Sequence, residues 1–218
     1  PVIIIGNEFL DALSVSQYTY VDTKWMENYI KLSENASFRY EQKRASKQEI
    51  DTFPRMMFPP KNGDQFEMSH EQESFTVEII NIIKKQGGIA LFIDYGYTIP
   101  SYGTTLQAVM NHAYVDVLEN QGECDLTAHV NFSHLGAIIL QNDMVLHGPV
   151  SQKDFLQRLG IDVRAEHLCE NASGQQVQDI QSAITRLTGA LTKNNQMGEL
   201  FKVIAFAADP HLHLEGFS

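Results

Sequence analysis

A run of apolar residues near the start of the chain limits the folds that this sequence can adopt. Residues Val2–Ile5 are all β-branched and end at Gly6, with Asn7 and Glu8 directly after it. Such a run bounded by glycine predicts a strand buried on both faces of a parallel sheet. Ligands of open α/β sheets bind just outside the carboxyl ends of the strands. Asn7 and Glu8 are therefore predicted to lie at a ligand site.

A second apolar run, Ile89–Ile93, predicts a parallel neighbour for the first strand. Ser69–Gln86 has helical spacing, with Ser69 as N-cap and Gly87-Gly88 as the end of the helix. A helix that leads into a buried strand forms an α/β unit and favours parallel strands. Asp94, Tyr95 and Gly96 are predicted to close this second strand. The inward face of the helix is predicted to carry Phe75, Ile79, Ile82 and Ile83.

The segment between these two units has a different pattern. Residues 16–42 alternate apolar and polar positions and predict two or three antiparallel strands in a meander, whereas the proline-containing residues 43–68 predict a loop. We therefore expect a β-rich inserted subdomain at 16–68 and an α/β domain formed by 1–15 and 69–218. Trp25 and the tyrosines of the insertion favour a subdomain core over a base-stacking platform.

The remaining sequence predicts further α/β elements. The expected extended or strand segments are Gly103–Val117, Met144–Leu146 and Phe201–Ala207. Three further helices are expected. The first is capped by Asn131 and carries Phe132, Leu135, Ile138 and Ile139. The second is Ser151–Leu159, with Phe155, Leu156 and Leu159 facing inward, and the third is Gln175–Leu191, with Val177, Ile180, Ile184, Leu187 and Leu191 facing inward. Asp209–Ser218 is expected to be a tail.

Charge and composition narrow the function. The 218 residues carry a net charge of −11 with dispersed Lys and Arg, which argues against a nucleic-acid surface. No apolar run approaches the roughly 20 residues of a membrane span. Cys124 and Cys169 are far apart, so two reduced thiols are favoured over a disulfide or metal pair. The histidines lack metal-ligand spacing, and we expect no metal site.

Three polar clusters lie where apolar segments end. They are Asn7-Glu8 with Asp11, Asp94-Tyr95-Gly96, and Asp125 to His129. The first two follow strands predicted to be parallel, so their side chains should converge on one crevice. The alternative for each residue is structural: Asn7 or Asp11 could cap a short helix, and Asp94 could hold a turn.

These clusters belong to a set of motifs that resembles one family. The motifs are Gly6-Asn7-Glu8-Phe9-Leu10-Asp11-Ala12-Leu13, Leu91-Phe92-Ile93-Asp94-Tyr95-Gly96-Tyr97, Thr105-Leu106-Gln107-Ala108, Asp125-Leu126-Thr127-Ala128-His129-Val130, Phe155-Leu156-Gln157-Arg158-Leu159-Gly160 and Met197-Gly198-Glu199-Leu200-Phe201-Lys202-Val203. In this order they resemble the MidA-type methyltransferases over nearly the whole chain. Ser14 departs from the family, which usually has proline there.

The resemblance implies a fold and a cofactor. Members are S-adenosylmethionine-dependent enzymes with a class I, Rossmann-like sheet whose seventh strand is reversed. On that template Val2–Ile5, Ile89–Ile93, Met144–Leu146 and Phe201–Ala207 would be strands four, five, six and seven. This chain would then hold a partial sheet. The glycine-rich cofactor loop and the ribose-binding acid would lie upstream of Pro1, which leaves the S-adenosylmethionine site incomplete in this chain.

The resemblance also implies a substrate and partners. Mitochondrial members methylate an arginine of a respiratory complex I subunit, so the expected partners are a protein substrate and the upstream half of the same protein. A carboxylate can orient a guanidinium through its planar fork. We expect Glu8, with Asn7 and Asp11, to be catalytic, and Asp94, Tyr95, Gly96, Asp125 and His129 to bind substrate. The expected compartment is the bacterial cytoplasm or the mitochondrial matrix.

Two alternatives remain open at this point. The chain could be a non-catalytic assembly or interaction module that keeps the fold. The upstream half could also exist as a separate polypeptide, so that two chains make one enzyme. The oligomeric state does not follow from the sequence.

Overall fold

The computed structural model describes residues 1–54, 56–190 and 197–217, in which strands and helices give a mixed α/β structure. The strands are β1 (Val2–Asn7), β2 (Ser16–Val21), β3 (Lys24–Leu32), β4 (Phe38–Arg44), β5 (Gln65–Met68), β6 (Gly88–Tyr97), β7 (Gln107–Met110), β8 (Ala113–Val115), β9 (Asp125–Thr127), β10 (Val130–Asn131), β11 (Val145–Ser151) and β12 (Phe201–Ala207). The helices are α1 (Lys47–Ile50), α2 (His70–Gln86), α3 (Phe132–Gln141), α4 (Gln152–Arg158), α5 (Ile161–Cys169) and α6 (Gly174–Thr188).

The main sheet has the strand order β1-β6-β12-β11, with the short β10 also paired to β6. β1 runs parallel to β6, with Val2 opposite Gly88 and Asn7 opposite Ile93. β12 runs antiparallel to both β6 and β11. This topology confirms the parallel neighbour of β1 and the reversed direction of the last strand, and it shows that the last strand lies between β6 and β11.

The prediction that β1 is buried on both faces is wrong. The side chains of Val2 and Ile4 pack against the core, whereas those of Ile3 and Ile5 are 78% and 68% exposed. Successive side chains of a strand point to opposite faces of the sheet. None of the described residues covers the face that carries Ile3 and Ile5.

The core between the main sheet and helices α2 and α3 follows the predicted helical patterns. Ser69 caps α2 by accepting the N–H of Gln72 at 3.0 Å, and Gly87 ends the helix. Ile82 is 38% exposed although it was predicted to face inward, because the buried stripe runs through Ile80 instead. The largest contributors to this core are Ile79, Ile80, Ile83, Phe92, Phe132, Leu135, Ile139 and Phe206.

Residues 16–68 form a separate sheet with the order β4-β3-β2-β5, which confirms the meander. The prediction that 43–68 is a loop is wrong in part, since α1 and β5 lie within it. β5 is a strand because Phe66 and Met68 are buried against Tyr18. Trp25 packs edge-on against Phe66, with ring centroids 4.9 Å apart, so it belongs to this core. The division into two domains stays a prediction.

The second half of the chain adds a small sheet of order β8-β7-β9. β7 and β8 form a hairpin within the predicted extended segment Gly103–Val117, and its turn residues Asn111 and His112 have positive φ angles of 51° and 63°. Two such residues suit a type I′ turn. β6 continues through Asp94, Tyr95 and Gly96, so the prediction that these residues close the strand is wrong.

Several predictions near the end of the chain need correction. β11 extends to Ser151, well beyond the predicted Met144–Leu146, and α5 was not predicted. Leu159 is exposed rather than inward, while Phe155 is buried. In the predicted tail, Phe217 packs on Phe155 with ring centroids 5.2 Å apart.

Helix α6 matches its predicted face in the described part of the chain. Val177, Ile180, Ile184 and Leu187 are half-buried along one side. Leu191 and Ser218, which the sequence predictions included, lie outside the described residues. No helix in the described ranges is long and apolar enough to cross a membrane.

Candidate active site

The carboxyl end of β1 holds Glu8 in a constrained backbone conformation. Its N–H donates to the carbonyl oxygen of Ile93 at 2.9 Å, so the strand pairing continues to this residue. Its φ angle is +49°, in the left-handed region that residues other than glycine seldom adopt. Strained residues of this kind cluster at functional sites. The exposed Glu8 side chain projects from a backbone that the neighbouring strand holds in place.

Asp94 anchors the loop that follows β1. One of its oxygens, Oδ2, accepts the backbone N–H groups of Phe9, Leu10 and Asp11 at 3.1, 2.9 and 3.2 Å. The other oxygen accepts the N–H of Tyr95 at 2.9 Å. The Asp94 side chain is only 1% exposed. Its carboxylate therefore accepts the backbone hydrogen bonds of residues 9–11 rather than facing a ligand, which agrees with the structural alternative for Asp94. The helix-capping alternative does not apply to Asn7 or Asp11, since neither residue begins a helix.

Burial also changes the acidity of Asp94. Desolvation, followed by the nearby charge of Asp11, raises the pKa of Asp94 to about 7. Hydrogen bonds from the backbone N–H groups act in the opposite direction. A carboxyl group at the base of the loop therefore changes its charge near neutral pH.

The buried Asp11 and the half-buried Tyr95 form a pair next to Asp94. The Tyr95 hydroxyl donates to Asp11 Oδ2 at 2.5 Å. Burial, followed by this hydrogen bond, raises the pKa of Tyr95. Asp11 is 5% exposed, and its second oxygen, Oδ1, has no hydrogen-bond partner among the described residues. Buried polar atoms are almost always paired, so an unpaired one needs an explanation.

Glu8, Asp11 and Asp125 line one cavity of about 480 Å³, which we call the acidic cavity. No lysine or arginine is among the residues that line it. Tyr95, Gln107 and Thr127 also line it, and Gln107 Nε2 donates to Thr127 Oγ1 at 3.2 Å. The acidic cavity combines three carboxylates with neutral hydrogen-bonding groups, which suits a cation with several N–H donors.

Four of the predicted site residues lie together in this cavity: Glu8, Asp11, Tyr95 and Asp125. The structure places the other four elsewhere. Asn7 is exposed beside Glu8, and its Nδ2 lies 3.4 Å from Glu8 Oε1. Asp94 is buried beneath the loop.

Gly96 and His129 lie close to the cavity but do not line it. A Cβ atom on Gly96 would lie 2.0 Å from the carbonyl oxygen of Val130, so this glycine allows β6 and β10 to approach each other. His129 packs edge-on against Tyr95 with ring centroids 5.4 Å apart, and it lines a separate, water-sized hollow of about 20 Å³. Burial lowers the pKa of His129. The described residues contain no group of three or more His, Cys, Asp or Glu able to hold a metal ion.

Gln107 and Thr127 were not singled out from the sequence. They lie opposite each other in the paired strands β7 and β9, and Val109 lies opposite Asp125 on the same face. Alternation along residues 125–127 places Asp125 and Thr127 on one face. That alternation is the signal that could have identified Thr127, whereas Gln107 becomes visible only once the two strands are paired.

Comparisons with known proteins identify the family of the chain and support its fold. A family model for S-adenosyl-L-methionine-dependent methyltransferases matches residues 1–150. The mitochondrial protein arginine methyltransferase NDUFAF7 homolog of Drosophila melanogaster is 33% identical over 209 residues, which cover 93% of this chain and 46% of that protein. The human mitochondrial protein arginine methyltransferase NDUFAF7 is 29% identical over 216 residues, which cover 97% of this chain and 46% of that protein. The chain thus spans about half the length of these relatives.

A solved structure shares the fold. A protein from Burkholderia thailandensis bound to S-adenosyl-homocysteine superposes with a TM-score of 0.82 at 24% identity, over 99% of this chain and 54% of that one. At this identity the likeness concerns the fold alone. The family match covers more than half of the chain. The chain therefore belongs to the family of S-adenosyl-L-methionine-dependent methyltransferases.

Proposed function

We propose that this chain forms the acceptor side of a protein arginine methyltransferase, with the acidic cavity as the binding site for the guanidinium group. The observation that carries the proposal is the composition of the cavity, in which Glu8, Asp11 and Asp125 meet without a basic residue. A guanidinium is always charged and presents five N–H donors in a plane. The relatives' names, which describe protein arginine methyltransferases, support the same acceptor.

Glu8 has the central role in this proposal. Its carboxylate accepts two N–H groups of the guanidinium and orients the third nitrogen towards the methyl donor. Holding the acceptor in line is the main contribution that a protein makes to such a displacement. The fixed backbone of Glu8, bonded to Ile93 and anchored through Asp94, keeps the carboxylate in one position.

Asp11 and Asp125 complete the acceptor site. The carboxylate of Asp11 adds negative charge to the lining of the cavity and so attracts the guanidinium, although its Oδ1 atom is enclosed by the protein. Asp125 is exposed at the mouth of the cavity and takes the proton that the methylated nitrogen releases. Asp94 acts as a positioning residue, because its hydrogen bonds hold the backbone of residues 9–11.

The described residues fit one part of S-adenosylmethionine, which supplies the electrophilic methyl group when it is bound. Its sulfonium is positively charged, and Glu8 and Asp11 provide negative charge. Asn7, exposed beside Glu8, would offer its amide to the amino-acid part of the cofactor. The lining of the acidic cavity has no lysine or arginine to pair with the carboxylate of the cofactor. These residues therefore suit the sulfonium and the acceptor better than the rest of the cofactor.

The names of the relatives support a proposal for the partner and the compartment. We propose a protein acceptor, and the family resemblance favours a subunit of respiratory complex I. The relatives are named as mitochondrial proteins. The matching compartment for this chain is the mitochondrial matrix in a eukaryote and the cytoplasm in a bacterium.

The test measures methyl transfer by the full-length protein to two peptides that differ only in carrying arginine or lysine. Mass spectrometry should find the added methyl group on the arginine peptide alone. Glu8→Gln should lower kcat by about 100-fold or more, because the amide no longer provides a charged fork. Binding of S-adenosylmethionine, followed by calorimetry, should stay within a few-fold.

The matched control is Glu78→Gln, which makes the same chemical change on an exposed face of α2. It should leave kcat unchanged. Equal methylation of the lysine peptide, or full activity of Glu8→Gln, would contradict the assignment. Complete lack of transfer by the wild-type protein would favour the non-catalytic module.

A further inference from the structure

A second cavity lies next to the acidic cavity, and its lining is almost entirely apolar. We call it the apolar groove; its volume is about 230 Å³. It is lined by Ile30, Phe38 and Tyr40 of the insertion sheet and by Leu106, Val117 and Leu118 of the second half of the chain. Ile30 is 52% exposed, so the groove opens to solvent. An exposed apolar surface of this kind next to a cavity indicates a binding surface.

The two cavities meet at strand β9. Asp125 and Thr127 line the acidic cavity, whereas Leu126 lines both cavities. β9 is an edge strand that pairs only with β7 in the described part of the chain. Edge strands can accept an added strand from another polypeptide. A segment lying along β9 would therefore reach the acidic cavity on one side and the apolar groove on the other.

The alternating side chains of an extended peptide could occupy both cavities. Successive side chains of a strand point to opposite faces, about 3.3 Å apart along the chain. An arginine in the acidic cavity would then place the adjacent residue of the same segment over the apolar groove. Charge complementarity fixes the arginine, and the apolar lining favours a large aliphatic or aromatic neighbour.

A third hollow favours a polypeptide over a lipid chain as the occupant. It shares Tyr40, Leu106 and Val117 with the apolar groove and is otherwise lined by neutral amides and a hydroxyl. Asn28 and Gln42 are opposite each other in β3 and β4, and Gln42 Nε2 donates to Asn28 Oδ1 at 2.9 Å. Amides can both donate to and accept from a peptide backbone. The surface beyond the groove therefore suits a peptide better than a lipid chain.

We propose that the acceptor is recognised as an extended segment lying across β9, in which the methylated arginine has a large apolar residue directly next to it in sequence. This inference rests on the proposed arginine methyltransferase function and adds a specificity rule to it. The residues that would determine the specificity are Ile30, Phe38, Tyr40 and Leu126, none of which belongs to the proposed catalytic group.

The test compares two arginine peptides in the full-length protein, one with leucine and one with serine next to the arginine. The leucine peptide should have a KM about tenfold lower, because its side chain leaves water on binding, while kcat changes little. Ile30→Ser should raise the KM for the leucine peptide by about tenfold and leave that for the serine peptide unchanged. Phe38→Ser is a second variant at the same groove and should act in the same direction.

Leu168→Ser is the matched control, since Leu168 is an exposed leucine on α5, away from both cavities. It should change neither KM. Peptide binding is followed in parallel by fluorescence anisotropy in the presence of S-adenosyl-homocysteine. Equal KM values for the two peptides, with both methylated, would overturn the inference and leave the proposed function standing. Leucine-dependent binding without methylation would support the groove and overturn the proposed function. Absence of both binding and methylation would overturn both.

Discussion

At the scale of one residue, Asp94 has a structural role that differs from the one predicted from the sequence. It was predicted to bind substrate, yet its four hydrogen bonds from backbone N–H groups make it the anchor of the loop after β1. Glu8, Asp11 and Tyr95 depend on that loop or lie beside it. The observed role of the Asp94 carboxylate is therefore to hold the loop that carries Asp11.

The raised pKa of Asp94 predicts a dependence of stability on pH. A carboxyl whose pKa is higher in the folded than in the unfolded chain stabilises the fold at low pH, and this contribution is lost as the pH rises through about 7. Asp94→Asn removes the titration. We expect the wild-type protein to lose stability relative to this variant between pH 5 and pH 8, measured by urea unfolding.

The exposed Asp179 on α6 provides a control, because Asp179→Asn makes the same change outside the core. Its unfolding free energy should follow that of the wild type across the same pH range. Parallel curves for Asp94→Asn and the wild type would show that Asp94 does not titrate with a raised pKa.

At the scale of single elements, the sequence predicted helix ends correctly where they depend on residues close in sequence. Ser69 and Gly87 bound α2 where the sequence indicated, because a cap and a glycine end act within one turn. Helix α5 was missed because its half-buried positions are Ile161, Ala165 and Cys169, of which only one is a large apolar residue, whereas those of α6 form a full apolar stripe. The sequence predicted that β6 ends at Ile93, because a carboxylate is not expected inside a buried strand. Three of the four hydrogen bonds that stabilise the buried Asp94 come from residues more than 80 positions away, which no local pattern reveals.

The candidate site was predictable to a similar extent. Glu8, Asp11 and Asp125 came from their positions next to apolar segments. Gln107 could not be found in this way, because it joins Thr127 only through the pairing of β7 and β9. The apolar groove also depends on contacts between the insertion sheet and residues 106–126, which no local pattern reveals.

Gly96 is expected to be essential for the close approach of β6 and β10. A methyl group there would lie 2.0 Å from the carbonyl oxygen of Val130, so Gly96→Ala must separate β6 from β10. We expect a loss of about 3 kcal/mol or more in the free energy of unfolding. Gly174→Ala is the control, because no atom lies within 4 Å of its Cβ position at the start of α6; it should be neutral or stabilise the protein by up to about 1 kcal/mol. Melting of Gly96→Ala within about 2 °C of the wild type would show that the close approach is not required.

For the whole molecule, the strand order and the lining residues put the acidic cavity at the carboxyl end of β1 and next to β6, where α/β sheets bind their ligands. The small sheet borders both this cavity and the apolar groove, whereas the insertion sheet borders the apolar groove alone. The chain spans about half the length of the relatives described above, so its role is proposed as the acceptor side of the reaction.

The central claim is that the acidic cavity holds the guanidinium of the acceptor. The most direct test is a crystal structure of the full-length protein with S-adenosyl-homocysteine and an arginine-leucine peptide. We expect guanidinium nitrogens within about 3 Å of the Glu8 carboxylate. A guanidinium bound elsewhere, with the acidic cavity filled by solvent or by the cofactor product, would contradict it.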